Sequence, residues 1–320
     1  MVVAIHSNVY YLYPKDGSLT WFIEMEFTAL CVVSVPLFFM VSGAVNAGRN
    51  NIITLDVLFK RKLPKLIIPF FLWSIIYVSA RIGIGKIPLS LNAFLSLIWE
   101  PAYYQFWFIY SLIGMYICIP IFQYLIQKAN KVLLIYILIL WFLFSIILPL
   151  AIRYIPGFKI SEHFNLIFLE GYWGYFFLGA YLKKYPIANP LSVGCILTII
   201  GTLLTGCGAI IEFYNEIPYY GYVYTSYLLP GVVMSSLGLF LIFSNINYSS
   251  RAESIFTYLS ERSMGVYYVH TMIIGVIEIY MNTLDRSLHW MLLKWLIACF
   301  VSLFVVELIK RIPLLNKYLL

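Results

Sequence analysis

Charged residues are scarce in this chain. Lys, Arg, Asp and Glu make up 11% of its 320 residues, whereas 62% are hydrophobic. Soluble globular domains carry about 25% charged residues, so this composition excludes an ordinary soluble domain and indicates an integral membrane protein. The formal net charge of +7 is compatible with nucleic-acid binding. However, the basic residues stand between apolar runs, which membrane topology explains, and we expect no nucleic-acid partner.

Several chemical signatures are also missing. The five cysteines lie inside apolar segments without CxxC spacing, so we expect neither a disulfide framework nor a metal–thiolate site. No carboxylate or cysteine stands at ligand spacing beside a histidine, and we expect no metal. A Walker loop, a GxSxG elbow and a dinucleotide fingerprint are all absent. The sequence therefore lacks the best-known signatures of nucleotide-binding proteins and hydrolases.

Long uncharged runs are present instead. Residues 27–47 are without charge and can cross a hydrocarbon core about 30 Å thick at about 1.5 Å per helical residue. Further apolar runs follow at 66–80, 106–126, 132–152, 167–182, 191–213, 225–245, 263–283 and 291–309. We predict an all-α, polytopic transmembrane helix bundle of about ten helices. We expect a single domain over residues 1–320, in which residues 1–13 are a partial, truncated first helix; an interfacial segment is the alternative for residues 1–13.

The basic residues orient these spans. The loop after residue 47 holds one acid and five bases, namely Arg49, Lys60, Arg61, Lys62 and Lys65. The positive-inside rule places this loop in the cytoplasm. Residues 14–26, with the acids Glu24 and Glu26, are then expected outside. Following the spans in turn predicts a multi-pass protein of the cell (cytoplasmic) membrane with a cytoplasmic C-terminus.

Ionisable groups at membrane depth are costly and are therefore functional candidates. His6 and His270 are the two histidines expected at that depth. Imidazole titrates near neutrality, which suits it to take a proton from an alcohol and return it to a leaving thiol. An imidazole that only hydrogen-bonds between helices is the alternative for each.

Other residues have two interpretations each. Lys62 and Lys65, with Arg61, could form a cationic mouth for phosphates, or they could only mark topology. Ser42 and Gly43 could admit a ligand or a neighbouring helix close to the backbone. Tyr116 could offer a buried hydroxyl to an oxyanion, or it could only pack within the bundle.

Five blocks stand in a specific order after His6: VPLFFMVSG (35–43), KLPKLIIPFFLW (62–73), WFIYSLIGMYICIP (107–120), GYWGYFFLGAYL (171–182) and SMGVYYVH (263–270). Together they resemble the acyltransferase family 3 membrane proteins over essentially the whole chain. The resemblance implies a bundle of about ten helices that moves acyl groups, usually acetyl, onto exported carbohydrate.

The resemblance also implies roles for single positions. His6 corresponds to the family's catalytic histidine, Lys62 and Lys65 to its basic pair, and Ser42 and Gly43 to its Ser-Gly motif. The family's arginine about ten residues before the histidine has no counterpart, since five residues precede His6. Relatives often read His-Leu-Trp-Phe where this chain reads Gln-Phe-Trp-Phe (105–108).

We therefore predict a membrane O-acyltransferase that moves acetyl from acetyl-CoA to a hydroxyl of a surface polysaccharide or lipid-linked sugar. His6 and Tyr116 are the predicted catalytic residues. Acetyl-CoA is predicted at Lys62, Lys65, Arg61, Ser42 and Gly43, and the carbohydrate acceptor at Trp107, Gln105 and His270. The alternatives are a glycolipid or small-molecule transporter or flippase, which half-to-half symmetry would favour, and an inactive accessory module.

Overall fold

A computed structural model of the chain describes residues 1–7, 17–47, 49, 51–161, 169–214, 226–280 and 288–320. All regular elements within these ranges are helical, and no strand occurs among them. The predicted all-α, polytopic helix bundle is confirmed.

The α-helices are, in chain order, α1 (Val2–Ser7), α2 (Leu19–Val32), α3 (Ser34–Ala47), α4 (Leu55–Val57), α5 (Leu63–Gly83), α6 (Leu91–Leu95), α7 (Trp107–Lys128), α8 (Lys131–Phe142), α9 (Leu148–Tyr154), α10 (Trp173–Lys184), α11 (Pro190–Tyr214), α12 (Pro230–Asn245), α13 (Ser250–Ser260), α14 (Ser263–Tyr280), α15 (Leu288–Arg311) and α16 (Pro313–Leu319). π-helical segments join α4 to α5 (Leu58–Lys62) and α8 to α9 (Leu143–Ile147). A 3-10 turn (Tyr104–Phe106) leads into α7.

Six helical stretches are long and apolar enough to cross a membrane: Leu19–Ala47, Leu55–Gly83, Tyr104–Lys128, Lys131–Tyr154, Pro190–Glu212 and His289–Arg311. The apolar helices α12 and α14 are shorter. Every apolar run of the sequence overlaps one of the described helices. The chain is thus a membrane protein, as its composition predicts.

The first long span begins earlier than the sequence suggested. Ser18 caps α2, because its Oγ accepts a hydrogen bond of 3.1 Å from the Trp21 N–H. Glu24 and Glu26 therefore lie inside a helix, and their expected position on the outer side stays a prediction. The Glu24 side chain is buried. The capping serine determines where this helix starts.

The chain forms two compact units. The first unit comprises Met1–Val2, Lys15–Ile52 and Pro120–Asn247. Its helices pack through glycines: a Cβ on Gly201 of α11 would stand 2.5 Å from the Gly231 carbonyl oxygen of α12, and one on Gly179 of α10 would stand 1.9 Å from the Met40 carbonyl oxygen of α3. Such close backbone contact is typical of membrane helices, whose association depends on van der Waals packing.

The second unit comprises Val3–Pro14, Ile53–Ile119 and Tyr248–Leu320. Trp73 of α5 stacks on Tyr268 of α14 with ring centroids 5.8 Å apart, and its Nε1–H donates a hydrogen bond of 2.9 Å to the Leu319 carbonyl oxygen of α16. These contacts tie α5, α14 and α16 together. The expectation of a single domain stays a prediction.

Candidate active site

The short helix α1 positions His6. Its side chains Val3, Ala4 and Ile5 are buried, and Val3 packs with Ile274 of α14 and Ala298 of α15. Residues three positions apart lie on neighbouring parts of a helix surface, so this packing turns His6 toward α14 as well. Residues 8–13 of the expected partial helix lie outside the described part of the chain.

The two histidines singled out in the sequence come together. The ring centroids of His6 and His270 are 5.2 Å apart, and the His6 centroid is 5.0 Å from that of Tyr104. The His270 ring lies 6.0 Å from that of Tyr267, one α14 turn earlier. The structure therefore places both imidazoles within one aromatic cluster of the second unit.

The hydrogen bonding of His270 fixes its tautomer. Its Nδ1 lies 3.0 Å from the Val266 carbonyl oxygen. Because a carbonyl oxygen only accepts hydrogen bonds, Nδ1 carries the proton, and Nε2 of the neutral ring is an acceptor. The His270 side chain is fully buried, and its Nε2 makes no hydrogen bond to the residues that the structure describes. This side chain therefore offers one acceptor to a ligand.

Gln105 supplies a second set of unsatisfied polar atoms. Its residue is 2% exposed, and the side-chain amide lies near the Tyr77 hydroxyl but makes no hydrogen bond of ordinary geometry within the described ranges. Its backbone carbonyl oxygen accepts a 2.5 Å hydrogen bond from the Tyr267 hydroxyl, which holds the start of α7 against α14. Leaving a buried polar group unpaired costs about 1–3 kcal/mol. Gln105 is therefore a candidate ligand contact with both a donor and an acceptor.

Tyrosines outside the set of predicted site residues surround these groups. The Tyr77 hydroxyl donates to the Tyr268 carbonyl oxygen at 2.7 Å and accepts from the Met272 N–H at 3.1 Å, which ties α5 to α14. Tyr103 lies 5.2 Å from Tyr77 and 4.7 Å from Tyr104, centroid to centroid. Burial raises the pKa of the Tyr103 phenol, and the nearby acid of α14 adds to this, so the phenol stays neutral. The adjacent tyrosines at positions 103 and 104 were the available signal in the sequence.

The predicted cations lie at the beginning of α5. Lys62 is the last residue of the π-helical segment, and Lys65 lies in the first turn of α5 with an exposed side chain. Arg61 is exposed, whereas Lys60 pairs with Asp56 at 2.5 Å. From Lys65 to Tyr77 the helix rises about 18 Å at about 1.5 Å per residue. The lysines at the start of α5 and the histidine cluster, which lies near Tyr77 of the same helix, are therefore at different depths.

Two predicted site residues of α7 differ in depth. Trp107 is half-buried and follows Gln105 closely. Tyr116 lies eleven residues beyond Gln105, which is about 17 Å of helix rise. The structure does not bring Tyr116 beside His6, whose neighbour Tyr104 is at the other end of this stretch. The catalytic role of Tyr116 stays a prediction.

Ser42 and Gly43 belong to the first unit. A Cβ on Gly43 would stand 1.8 Å from the Phe176 carbonyl oxygen of α10, so this glycine is required for close helix packing. The Ser42 carbonyl oxygen accepts a 2.8 Å hydrogen bond from the Asn46 side chain of the same helix. Packing accounts for Gly43, and a contact of the pair with acetyl-CoA stays a prediction.

Comparisons with known proteins bear on this site. A family model described as an acyltransferase domain matches residues 1–311, a range that includes every predicted site residue. No curated protein and no solved structure matches the chain. Among the described residues, no group of three or more His, Cys, Asp and Glu side chains could hold a metal ion.

Proposed function

Because the chain belongs to acyltransferase family 3 and is a membrane acyltransferase, we propose that it transfers acetyl from acetyl-CoA to a hydroxyl of a surface polysaccharide or lipid-linked sugar. The observation that supports the site most strongly is the contact of His6 with His270, 5.2 Å between ring centroids. Beside it lie buried polar atoms of His270 and Gln105 that make no hydrogen bond of ordinary geometry in the described part of the chain. In native proteins such atoms are rare and call for an explanation, which a bound substrate would provide.

The acyl donor would bind from the end of α5 that carries the lysines. The positive-inside rule makes this end cytoplasmic, where acetyl-CoA is available. Lys62, Lys65 and Arg61 would contact its phosphates, for which ammonium and guanidinium groups are suited. An extended pantetheine arm has the length of about four peptide units, roughly 14 Å. With the reach of a lysine side chain, it covers the rise of about 18 Å from Lys65 to the depth of Tyr77.

The chemistry follows from the neighbours of His6. The imidazole would remove the proton of the sugar hydroxyl as the oxygen attacks the thioester carbonyl carbon. The carbon–sulfur bond breaks, and the imidazolium returns the proton to the departing thiolate. The products are the acetyl ester and free CoA, and atoms and charge balance. The Gln105 amide N–H is a buried donor near this centre and would stabilise the developing oxyanion. The acceptor atom Nε2 of His270 would orient a sugar hydroxyl.

The test is acetyl transfer by purified protein in lipid vesicles. Labelled acetyl-CoA is supplied with surface polysaccharide from the producing cells, and the label in the polysaccharide is measured. Loss of a general base typically lowers the rate by about 10²–10⁴, so we expect His6→Ala to lose nearly all transfer. The matched control is His289→Ala, which removes an exposed histidine and should retain transfer. Equal incorporation by His6→Ala and the parent would refute the assignment of the base. Movement of a glycolipid without any acyl donor would favour a carrier instead.

A further inference from the structure

A cavity of about 380 Å³ lies at the C-terminal end of α5, within the second unit. Its walls come from α5 and the turn after it, the segment before α7, and α14. Its polar lining residues are Tyr77, Arg81, Lys86, Tyr103, Thr271 and Glu278. Neither Arg81 nor Lys86 was assigned a function from the sequence.

The side chains that line this cavity carry more positive than negative charge. The Arg81 Nη1–H donates a 3.0 Å hydrogen bond to the Ala102 carbonyl oxygen, which fixes the guanidinium and leaves its other N–H groups available. Lys86 is exposed and forms no ion pair with any described residue. The carboxylate of Glu278 is compensated, because the Nζ of Lys294 lies 3.5 Å away. The cavity therefore presents a surplus of positive charge from two side chains.

The cavity lies close to the candidate active site. Tyr103 lines the cavity, its ring is 4.7 Å from Tyr104, and Tyr104 is 5.0 Å from His6. From Lys65 to Arg81 the helix rises about 24 Å, so the cavity and the lysine pair lie toward opposite ends of α5. A molecule bound here would approach His6 from the side opposite to the acyl donor.

We propose that this cavity binds a saccharide that carries an oxyanion, either a carboxylate on the sugar or a phosphate attached to it. Arg81 and Lys86 contact the oxyanion, since a fixed guanidinium matches the two oxygens of such a group. The Tyr103 ring packs against the sugar. That this saccharide is the acyl acceptor rests on the proposed function. If Arg81 and Lys86 instead only contact lipid headgroups at the membrane surface, charged and neutral sugars bind alike.

The test is direct binding in nanodiscs of neutral phosphatidylcholine, without acetyl-CoA. Three probes are compared by saturation-transfer NMR: methyl glucuronide, glucose 1-phosphate and methyl glucoside. Hydrogen bonds to charged groups imply that at least one anionic probe binds roughly tenfold or more tightly than the neutral one. A preference between the carboxylate and the phosphate identifies the source of the charge. Equal binding of all three probes would overturn the proposal.

Variants locate the binding. Lys86→Gln changes an exposed side chain and should keep the fold, while weakening the anionic probes about tenfold and sparing methyl glucoside. Arg81→Gln should act in the same direction. The matched control, Lys159→Gln, removes an exposed cation outside the cavity and should bind like the parent. Unchanged binding of the anionic probes to Lys86→Gln and Arg81→Gln would contradict the proposal.

The two proposals can fail separately. Charge-dependent binding that persists in a protein without acetyl transfer would support this cavity and reject the proposed reaction. Acetyl transfer that proceeds equally on charged and neutral saccharides, and is insensitive to Lys86→Gln, would reject the anionic acceptor and leave the reaction standing.

Discussion

The buried amide of Gln105 leads to a prediction in which stability and activity change in opposite directions. Replacing Gln105 with leucine keeps a side chain of similar size but removes polar atoms that make no hydrogen bond of ordinary geometry to the described residues. Because an unpaired buried polar group costs about 1–3 kcal/mol, we expect Gln105→Leu to raise the free energy of unfolding by about that amount. If this amide donates to the developing oxyanion, acetyl transfer should fall by about 10²–10³.

A matched control lies in α7, the helix that follows Gln105. Gln123 is also fully buried, but its side-chain nitrogen donates to the Asn46 carbonyl oxygen at 3.4 Å. Gln123→Leu loses that partner, so we expect no gain in stability. Thermal unfolding in detergent and labelled-acetyl transfer in vesicles are measured for both variants. If Gln105→Leu is destabilised as much as Gln123→Leu and retains full transfer, the reasoning about the buried amide is refuted.

Three further changes probe packing, the donor site and the helix contacts. Gly43→Ala should destabilise the protein by at least about 1–3 kcal/mol in thermal unfolding, because its Cβ would stand 1.8 Å from a carbonyl oxygen of α10. The control is Gly114→Ala, whose Cβ would have nothing within 4 Å, and it should be neutral or slightly stabilising. Lys65→Gln should raise the KM for acetyl-CoA with little change in kcat. The control is Lys60→Gln, which removes a lysine that pairs with Asp56 and should leave this KM unchanged. Equal KM values for the two variants would contradict the donor site. Tyr77→Phe should lower the free energy of unfolding by about 1–3 kcal/mol, since it leaves buried groups of α14 without their hydrogen-bond partner. An unchanged midpoint of thermal unfolding would show that the hydrogen bonds of the Tyr77 hydroxyl contribute little to stability.

Much of the fold could be predicted from local composition. Each uncharged run long enough for the hydrocarbon core overlaps an apolar helix, since no other backbone conformation satisfies its hydrogen bonds in lipid. Helix beginnings were less predictable. The charge-free run predicts a span that starts at residue 27, but the Ser18 cap starts the helix before Glu24 and Glu26.

Predicting the candidate site required information beyond local composition. The cost of an ionisable group in the membrane was enough to single out His6 and His270 separately. Their proximity follows from the packing of α1 on α14, which is a tertiary contact that spacing along the chain does not encode. The sequence likewise gave no sign that the Gln105 amide is unpartnered. Tyr116 was chosen for its residue type, and only the helix rise shows its distance in depth from Gln105.

The central claim is that the thioester of acetyl-CoA reaches the position of His6. Bromoacetyl-CoA tests this directly, because its reactive carbon occupies the place of the acetyl group and alkylates a nearby thiol. In a background that lacks the five native cysteines, the account predicts that the thiol introduced by His6→Cys is alkylated rapidly and that excess acetyl-CoA protects it. Alkylation of His6→Cys no faster than that of His289→Cys, or without protection by acetyl-CoA, would contradict the account.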